Sequence, residues 1–287
     1  MAGATQIEWT DYVWNVITGC SKVSDGCKSC YAEGVDKRFA AQWGHEFKPW
    51  TAANATHNVR LHNDRLDQPL RWKRSRRIFV NSMSDLFHEQ VPDTFIIAVF
   101  RVMAAAQQHT FQILTKRPER MASIMERMQH ILETFYPEST WPEVHAPGWP
   151  LPNVWLGVSV EHQKAADERI PLLLQTPAAI RFLSMEPLLG AVDLLKNGDI
   201  LCHCDGCLDM AKQHPTTGGL QRINWVIAGS ESGPNRRPCD LDWIRSIRDQ
   251  CITANIPFFL KQLYTGGHKI TLPLLDGQRW EQMPGRT

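Results

Sequence analysis

The sequence has no long hydrophobic run, no basic leader and almost no net charge. Its longest apolar stretch, residues 95–106, is too short to cross a bilayer and contains Arg101. Residues 1–10 lack the basic start and apolar run that a secretory signal needs. These absences predict a cytoplasmic protein with no membrane partner. The net charge of +1 neither favours nor excludes nucleic acid, so charge must be judged segment by segment.

The chain has ample apolar residues for a large core, since 43% of its 287 residues are hydrophobic. We therefore expect a single domain over residues 1–287, with insertions at about 136–152 and 197–222. Eight cysteines are present, and most of them fall in two tight groups. In a reducing compartment such grouping favours metal binding over disulfides. Cys251 lies outside both groups and shares a helical stripe with Ile244 and Ile247, which predicts a core position.

The first cysteine group is a loop near the start of the chain. Six residues separate Cys20 from Cys27, and two separate Cys27 from Cys30. Thiolates bind soft or borderline metals and iron–sulfur clusters, and a short loop lets three of them point at one centre. Three ligands are one short of a closed site. The fourth position belongs either to a distant residue, which makes the site structural, or to a substrate or cofactor, which makes it catalytic.

Short apolar runs recur along the chain and alternate with helical patterns. The runs are residues 13–18, 78–80, 111–114, 154–158, 180–183, 225–228 and 257–260. The helical patterns cover residues 31–42, 93–108, 118–135, 162–174 and 241–254. Strands that alternate with helices form a parallel sheet with crossover helices. Seven strands predict an α/β fold, a full or partial (β/α) barrel, whose active site lies at the carboxyl ends of the strands.

Polar and charged residues follow these apolar runs. The candidate catalytic residues among them are Lys116, Glu161, Glu186, Glu231 and Lys261. Loops are solvated, and this alone explains many polar residues at strand ends. Three glutamates, each just past an apolar run, are explained better by a shared site.

Five basic residues within seven positions precede the second apolar run. They are Arg71, Lys73, Arg74, Arg76 and Arg77, with an aromatic residue interleaved. Such a run is either a phosphate-binding segment or a solvated connection that happens to be basic.

A second cysteine group lies in the insertion at 197–222. Cys202, Cys204 and Cys207 follow a C-x-C-x-x-C pattern. The group is interpreted as a zinc knuckle, an auxiliary iron–sulfur site or three free thiols, and the candidate fourth ligands are His203, His214 and Cys239. The other insertion, at 136–152, is rich in proline and predicts an irregular loop.

Several segments together resemble the phage-associated three-cysteine-motif, radical-SAM-like family. They are IEWTD at 7–11, the C-x6-C-x2-C loop, WLGVSVE at 155–161, RFLSMEPL at 181–188, GSESGP at 229–234 and DGQRW at 276–280. The resemblance covers nearly the whole chain. Conventional radical SAM proteins have a C-x3-C-x2-C spacing with an aromatic residue before the last cysteine, whereas here the first gap is six and Ser29 takes that position.

This resemblance implies a radical SAM type of (β/α) barrel with a [4Fe–4S] cluster on Cys20, Cys27 and Cys30. It also implies S-adenosylmethionine on the open iron and an electron donor such as flavodoxin. Residues past the strands are then candidates to hold the cofactor: Asn81, Ser82, Ser84, Ser159, Glu161, Ser184, Gly229 and Ser230. Lys116, Arg117 and Lys261 would attract a substrate carboxylate or phosphate, or pair with the glutamates.

The leading hypothesis is a radical SAM enzyme that generates a 5′-deoxyadenosyl radical and modifies or isomerises a nucleobase-type substrate in phage DNA hypermodification. The location would then be the host cytoplasm. One alternative is modification of a peptide or small metabolite by the same chemistry. Another is a non-catalytic zinc or iron–sulfur protein that binds nucleic acid.

Overall fold

The computed structural model describes residues 2–135, 148–195, 222–233, 235–265 and 268–285. The strands are β1 (Ala2–Ala4), β2 (Tyr12–Trp14), β3 (Ile17–Thr18), β4 (Arg60–Leu61), β5 (Arg77–Val80), β6 (Thr110–Thr115), β7 (Val154–Ser159), β8 (Ile180–Met185), β9 (Trp225–Gly229), β10 (Phe258–Thr265), β11 (His268–Thr271), β12 (Leu274–Leu275) and β13 (Gln278–Arg279). The α-helices are α1 (Tyr31–Phe39), α2 (Ala55–Asn58), α3 (Asp93–Ala105), α4 (Pro118–Phe135), α5 (Gln163–Gln175) and α6 (Leu241–Thr253). None of the described helices is long and apolar enough to cross a membrane.

One large sheet organises the molecule, in the order β1-β2-β5-β6-β7-β8-β9-β10-β11. All pairs from β2 to β10 are parallel, and β1 and β11 add antiparallel edges. The predicted α/β fold with a parallel sheet is therefore confirmed. In the described residues no pairing joins β1 to β11, so the sheet is open and barrel closure is not observed.

The predicted first strand, 13–18, divides in two. Tyr12–Trp14 joins the large sheet, whereas Ile17–Thr18 pairs with Arg60–Leu61 in a separate two-stranded sheet. Between them the chain turns away from β5, and Asn81 Oδ1 accepts a hydrogen bond from the Ile17 amide at 3.1 Å. At this point the Asn81 side chain replaces the backbone partner that a neighbouring strand would supply. The apolar pattern of the sequence does not reveal this exchange. The predicted insertions at 136–152 and 197–222 lie almost wholly outside the described residues.

Side chains alternate between two apolar clusters, one on each face of the sheet. On one face, residues such as Ile78, Val226 and Leu260 pack among the helices, and Cys251 of α6 is fully buried there as predicted. On the opposite face Phe79, Trp225 and other aromatic residues cluster around Trp9. The segment before β2 thus covers part of this second face.

Candidate active site

A cavity of about 360 Å³ opens at the carboxyl ends of the parallel strands. Its volume falls in the range of small-molecule sites, about 300 to 1,000 Å³. It is lined by twelve of the residues predicted from the sequence: Cys20, Cys27, Cys30, Asn81, Ser82, Ser84, Lys116, Ser159, Ser184, Glu186, Glu231 and Lys261. Parallel strands end on the same edge of a sheet, so residues far apart in sequence meet here.

The cysteine loop is fixed over this edge by bonds to distant segments. Ser24 Oγ donates to Glu161 Oε1 at 2.5 Å, and Arg237 Nη1 donates to the Asp25 carbonyl at 2.8 Å. Ser29 Oγ donates to the carbonyl of residue 235 at 3.2 Å. Helix α1 begins directly after Cys30. The loop therefore has a defined position before any ligand binds.

Glu161 lies beneath the loop and does not line the cavity. Its side chain has no exposed surface, and Oε2 accepts from Arg169 Nη1 at 2.7 Å while Lys116 Nζ lies 3.9 Å from Oε1. Burial raises the pKa of Glu161, but the charges of Lys116 and Arg169 outweigh it and hold the pKa below the usual 4.5. The contacts of Glu161 fit a role as an anchor for the cysteine loop. Its role in cofactor binding or catalysis stays a prediction.

Gly26 packs directly on this anchor. A Cβ at Gly26 would lie 2.2 Å from Glu161 Oε1, far inside contact distance. We expect Gly26→Ala to displace the loop and to reduce the iron bound after reconstitution several-fold. Gly34→Ala is the matched control, because a Cβ at Gly34 in α1 meets nothing within 4 Å. That change should stabilise the protein by roughly 0.5–1 kcal/mol. Equal iron content in the two variants would contradict the prediction.

Arg117 connects the loop to the end of β6. Its Nη1 lies 3.6 Å from Cys20 Sγ, and its Nη2 donates to Ser21 Oγ at 3.1 Å. Its Nε donates to Glu89 at 2.9 Å and its Nη1 to Asp85 at 3.2 Å, so two carboxylates orient the guanidinium. A buried cation thereby faces the sulfur of a candidate metal ligand.

The three cysteines are partly buried. Burial, with a further contribution from Asp85, raises the pKa of Cys20 to about 12, and Arg117 acts against this rise. Burial also raises the pKa of Cys30. Binding of a metal therefore has to displace protons from these thiols, as it does in metal–thiolate sites generally.

The remaining predicted carboxylates are held by basic partners. Glu186 accepts from Lys261 Nζ at 2.8 and 2.9 Å and from Gln262 Nε2 at 2.9 Å. Glu231 accepts from the backbone and the guanidinium of Arg237. The cavity thus has both signs of charge at its rim. Gly229 and Ser230 lie close by but do not line it.

The three cysteine thiols of the loop are the type of donor that an iron–sulfur cluster uses. No group of three His, Cys, Asp or Glu in the described residues is placed to hold one metal ion. Three cavity residues also have buried atoms with no hydrogen-bond partner in the described structure: Glu8 Oε2, Asn81 Nδ2 and Gln262 Oε1. Such atoms fit a site that a polar ligand completes.

A family model, "Protein of unknown function (DUF5131)", matches residues 4–284. The chain belongs to the DUF5131 family. No curated protein matches it in sequence. Among solved structures, a spore photoproduct lyase mutant with bound AdoMet and dinucleoside spore photoproduct is similar, with a TM-score of 0.40 and 11% identity. The match covers 87% of this chain and 63% of that one. The resemblance of this DUF5131 chain to the phage-associated radical-SAM-like family stays a prediction.

The basic run lies away from the cavity in this DUF5131 protein. It enters β5 from the amino end, whereas the cavity follows the carboxyl end. Arg71 pairs with Asp67, and Arg77 pairs with Asp11 at 3.0 Å. Arg76 stacks on the Tyr12 ring at 3.7 Å. Lys73 and Arg74 are exposed. Three of the five residues thus have partners within the protein.

The second cysteine group of Cys202, Cys204 and Cys207, with His203 and His214, lies outside the described residues. Cys239, a candidate fourth ligand, is partly buried, and burial raises the pKa of its thiol to about 12.

Sequence reasoning missed two residues that the fold brings to the site. Arg237 fixes both Glu231 and the cysteine loop, and Glu8 lines the cavity from the segment before β2. Glu8 belongs to the IEWTD segment, so the family motif was the available signal. Arg237 follows the GSESGP segment by three residues and has no comparable signal.

Proposed function

We propose that the protein is a radical S-adenosylmethionine enzyme that modifies a nucleobase-type substrate. The observation that supports this most is the cysteine loop. Three thiols from one loop line a single cavity at the carboxyl ends of parallel strands, with a buried guanidinium against one of them. A structural metal site does not need a cavity of ligand size beside it.

Cys20, Cys27 and Cys30 would hold a [4Fe–4S] cluster and leave one iron open. With S-adenosylmethionine on that iron, the group supplies one-electron cleavage of the sulfonium and a 5′-deoxyadenosyl radical. The chain's own part is to bind and orient. Lys116 and Lys261 would provide positive charge for a carboxylate of the cofactor, whereas Glu186 and Glu231 already accept hydrogen bonds from Lys261 and Arg237.

The nucleobase as substrate, and phage DNA hypermodification as its setting, are supported by the family resemblance and the basic run. The position of the run limits how it can act. A nucleic acid that reaches the cavity must pass around the edge of the sheet to contact Lys73 and Arg74. Phosphate contacts there would add affinity without sequence information.

Anaerobic reconstitution with iron and sulfide tests the reaction class before the substrate is known. We expect a brown protein that forms 5′-deoxyadenosine from S-adenosylmethionine when a reductant is added. A colourless protein that retains zinc at the three cysteines and forms no 5′-deoxyadenosine would refute the proposal. Iron and zinc content, visible absorbance and product chromatography are the measurements.

Arg117 should set the reduction potential of the cluster. A cation that donates toward a ligand sulfur stabilises the more negative, reduced state. We expect Arg117→Gln to shift the potential to more negative values, and Arg117→Lys, which keeps the charge, to shift it less. Spectroelectrochemical titration measures this without any substrate. An unchanged potential in Arg117→Gln at full iron content would show that the contact does not tune the cluster.

A further inference from the structure

Glu8 is a buried carboxylate in the cavity that no described residue hydrogen-bonds. Its side chain is 7% exposed, and its Oε2 is buried without a donor. Glu8 forms an ion pair with Lys269 Nζ, which is 39% exposed and lies 3.8 Å from Oε1, beyond hydrogen-bond distance. A buried carboxylate without donors is costly, and such a group in a native protein needs a reason.

The other carboxylates of the cavity do not share this condition. Asp85, Glu186 and Glu231 all accept hydrogen bonds from side chains of the protein. Their carboxylates therefore have structural partners already. Among the described residues, Glu8 is the cavity-lining carboxylate that accepts no hydrogen bond from a protein side chain.

The backbone around Glu8 is fixed, so the side chain cannot easily turn out to solvent. Trp9 is buried, with its ring centroid 4.7 Å from that of Phe79, and Thr10 Oγ1 donates to the Arg77 carbonyl at 3.0 Å. Trp9, Phe79 and Leu114 also line the cavity. An aromatic and aliphatic wall beside a hydrogen-bond acceptor suits a planar ring that carries N–H groups.

We propose that Glu8 accepts a hydrogen bond from the amino group of a nucleobase bound in the cavity, an inference that rests on the proposed function. Carboxylates recognise the exocyclic amine of cytosine in this way. Thymine and uracil carry a carbonyl oxygen at that position, which repels a carboxylate. The cavity therefore selects a base with an amino group, either the substrate base or the adenine of S-adenosylmethionine.

The test compares wild type with Glu8→Gln, both reconstituted. The probes are 2′-deoxycytidine, 2′-deoxyguanosine, thymidine and S-adenosylmethionine, and the measurement is equilibrium binding. Because the charged acceptor is replaced by a neutral amide, whose oxygen forms a weaker hydrogen bond, Glu8→Gln should bind its amino-bearing ligand about 10-fold more weakly. Asp11→Asn is the matched control on the same segment. It loses the ion pair with Arg77, so it should melt lower and bind every probe as wild type does.

The outcomes separate the two sources of the base. If deoxynucleoside binding weakens and S-adenosylmethionine binding does not, Glu8 reads the substrate, and the reverse result assigns it to the cofactor's adenine. Unchanged affinity for all four probes, or no binding of any of them by wild type, overturns the proposal. Without ligand, Glu8→Gln should melt above wild type because the buried charge is removed. A lower melting temperature would show a structural role instead and would also overturn it.

A different result would refute the proposed function itself. Wild type that forms no 5′-deoxyadenosine refutes the radical SAM assignment even if Glu8→Gln alters base binding. If wild type forms it and Glu8→Gln binds every probe as wild type does, only the role of Glu8 is refuted.

Discussion

Replacing Cys27 with alanine should abolish the formation of 5′-deoxyadenosine and leave the protein without a stable cluster. In the proposed cluster each of the three thiolates would supply one iron with a charged, soft ligand, and water does not replace it with the same charge and softness. We expect the same loss for Cys20→Ala and Cys30→Ala. Iron content, visible absorbance and product formation after anaerobic reconstitution measure the effect.

Cys251→Ala is the matched control for this loss. Cys251 allows the same substitution within α6, in the core and outside the cavity lining. That variant should bind iron and form 5′-deoxyadenosine as wild type does, with only a moderate loss of stability from the small void. Retained cleavage in Cys27→Ala would refute the cluster assignment.

Replacing Glu161 with alanine should destabilise the protein by roughly 3–5 kcal/mol. The change leaves Arg169, whose side chain is 8% exposed, buried without its carboxylate partner. It also removes the acceptor for Ser24 and so loosens the cysteine loop. Denaturant unfolding measures the loss of stability, and iron content reports on the loop.

The control for Glu161 is Glu168→Ala on α5. Glu168 is exposed and pairs with Lys164 at 3.8 Å, so its loss should change stability by no more than about 0.5 kcal/mol. If both variants unfold at the same denaturant concentration, Glu161 is not the anchor that its contacts indicate.

The contribution of Glu161 should also depend on pH in a defined direction. Its pKa in the folded protein is below the usual 4.5, so the folded state favours the ionised form. The stabilisation is therefore complete above about pH 4.5 and is lost as the pH falls through the lower, folded pKa. We expect the difference in unfolding free energy between wild type and Glu161→Gln to shrink below that pH. A difference that grows in acid would contradict this.

The large sheet was predictable because parallel strands buried on both faces are short, continuous apolar runs. The runs at 154–158 and 225–228 correspond closely to β7 and β9. Helix α4 has the predicted limits, whereas α1 and α3 each end three residues early. The spacing of apolar residues predicts which face of a helix is buried, but it predicts the end of the helix poorly.

Twelve predicted residues meet at one cavity for a similar reason. Once the strands are known to be parallel, their carboxyl ends must share an edge, so Lys116, Ser184 and Lys261 could be placed together from the sequence. The direction in which each side chain points could not be predicted from the sequence. Glu161 follows β7 as Glu186 follows β8, yet Glu161 faces the cysteine loop and Glu186 lines the cavity.

The sequence by itself determined the chemistry that is available: three thiols in one short loop, and charged residues at the ends of apolar strands. Only the tertiary structure decided which of these groups meet. It set Arg117 against Cys20, buried Glu161 under Gly26, and placed Glu8 in the cavity without a donor. These contacts join residues from separate strands and loops. Their geometry depends on how distant segments pack together, and a local sequence pattern does not predict that packing.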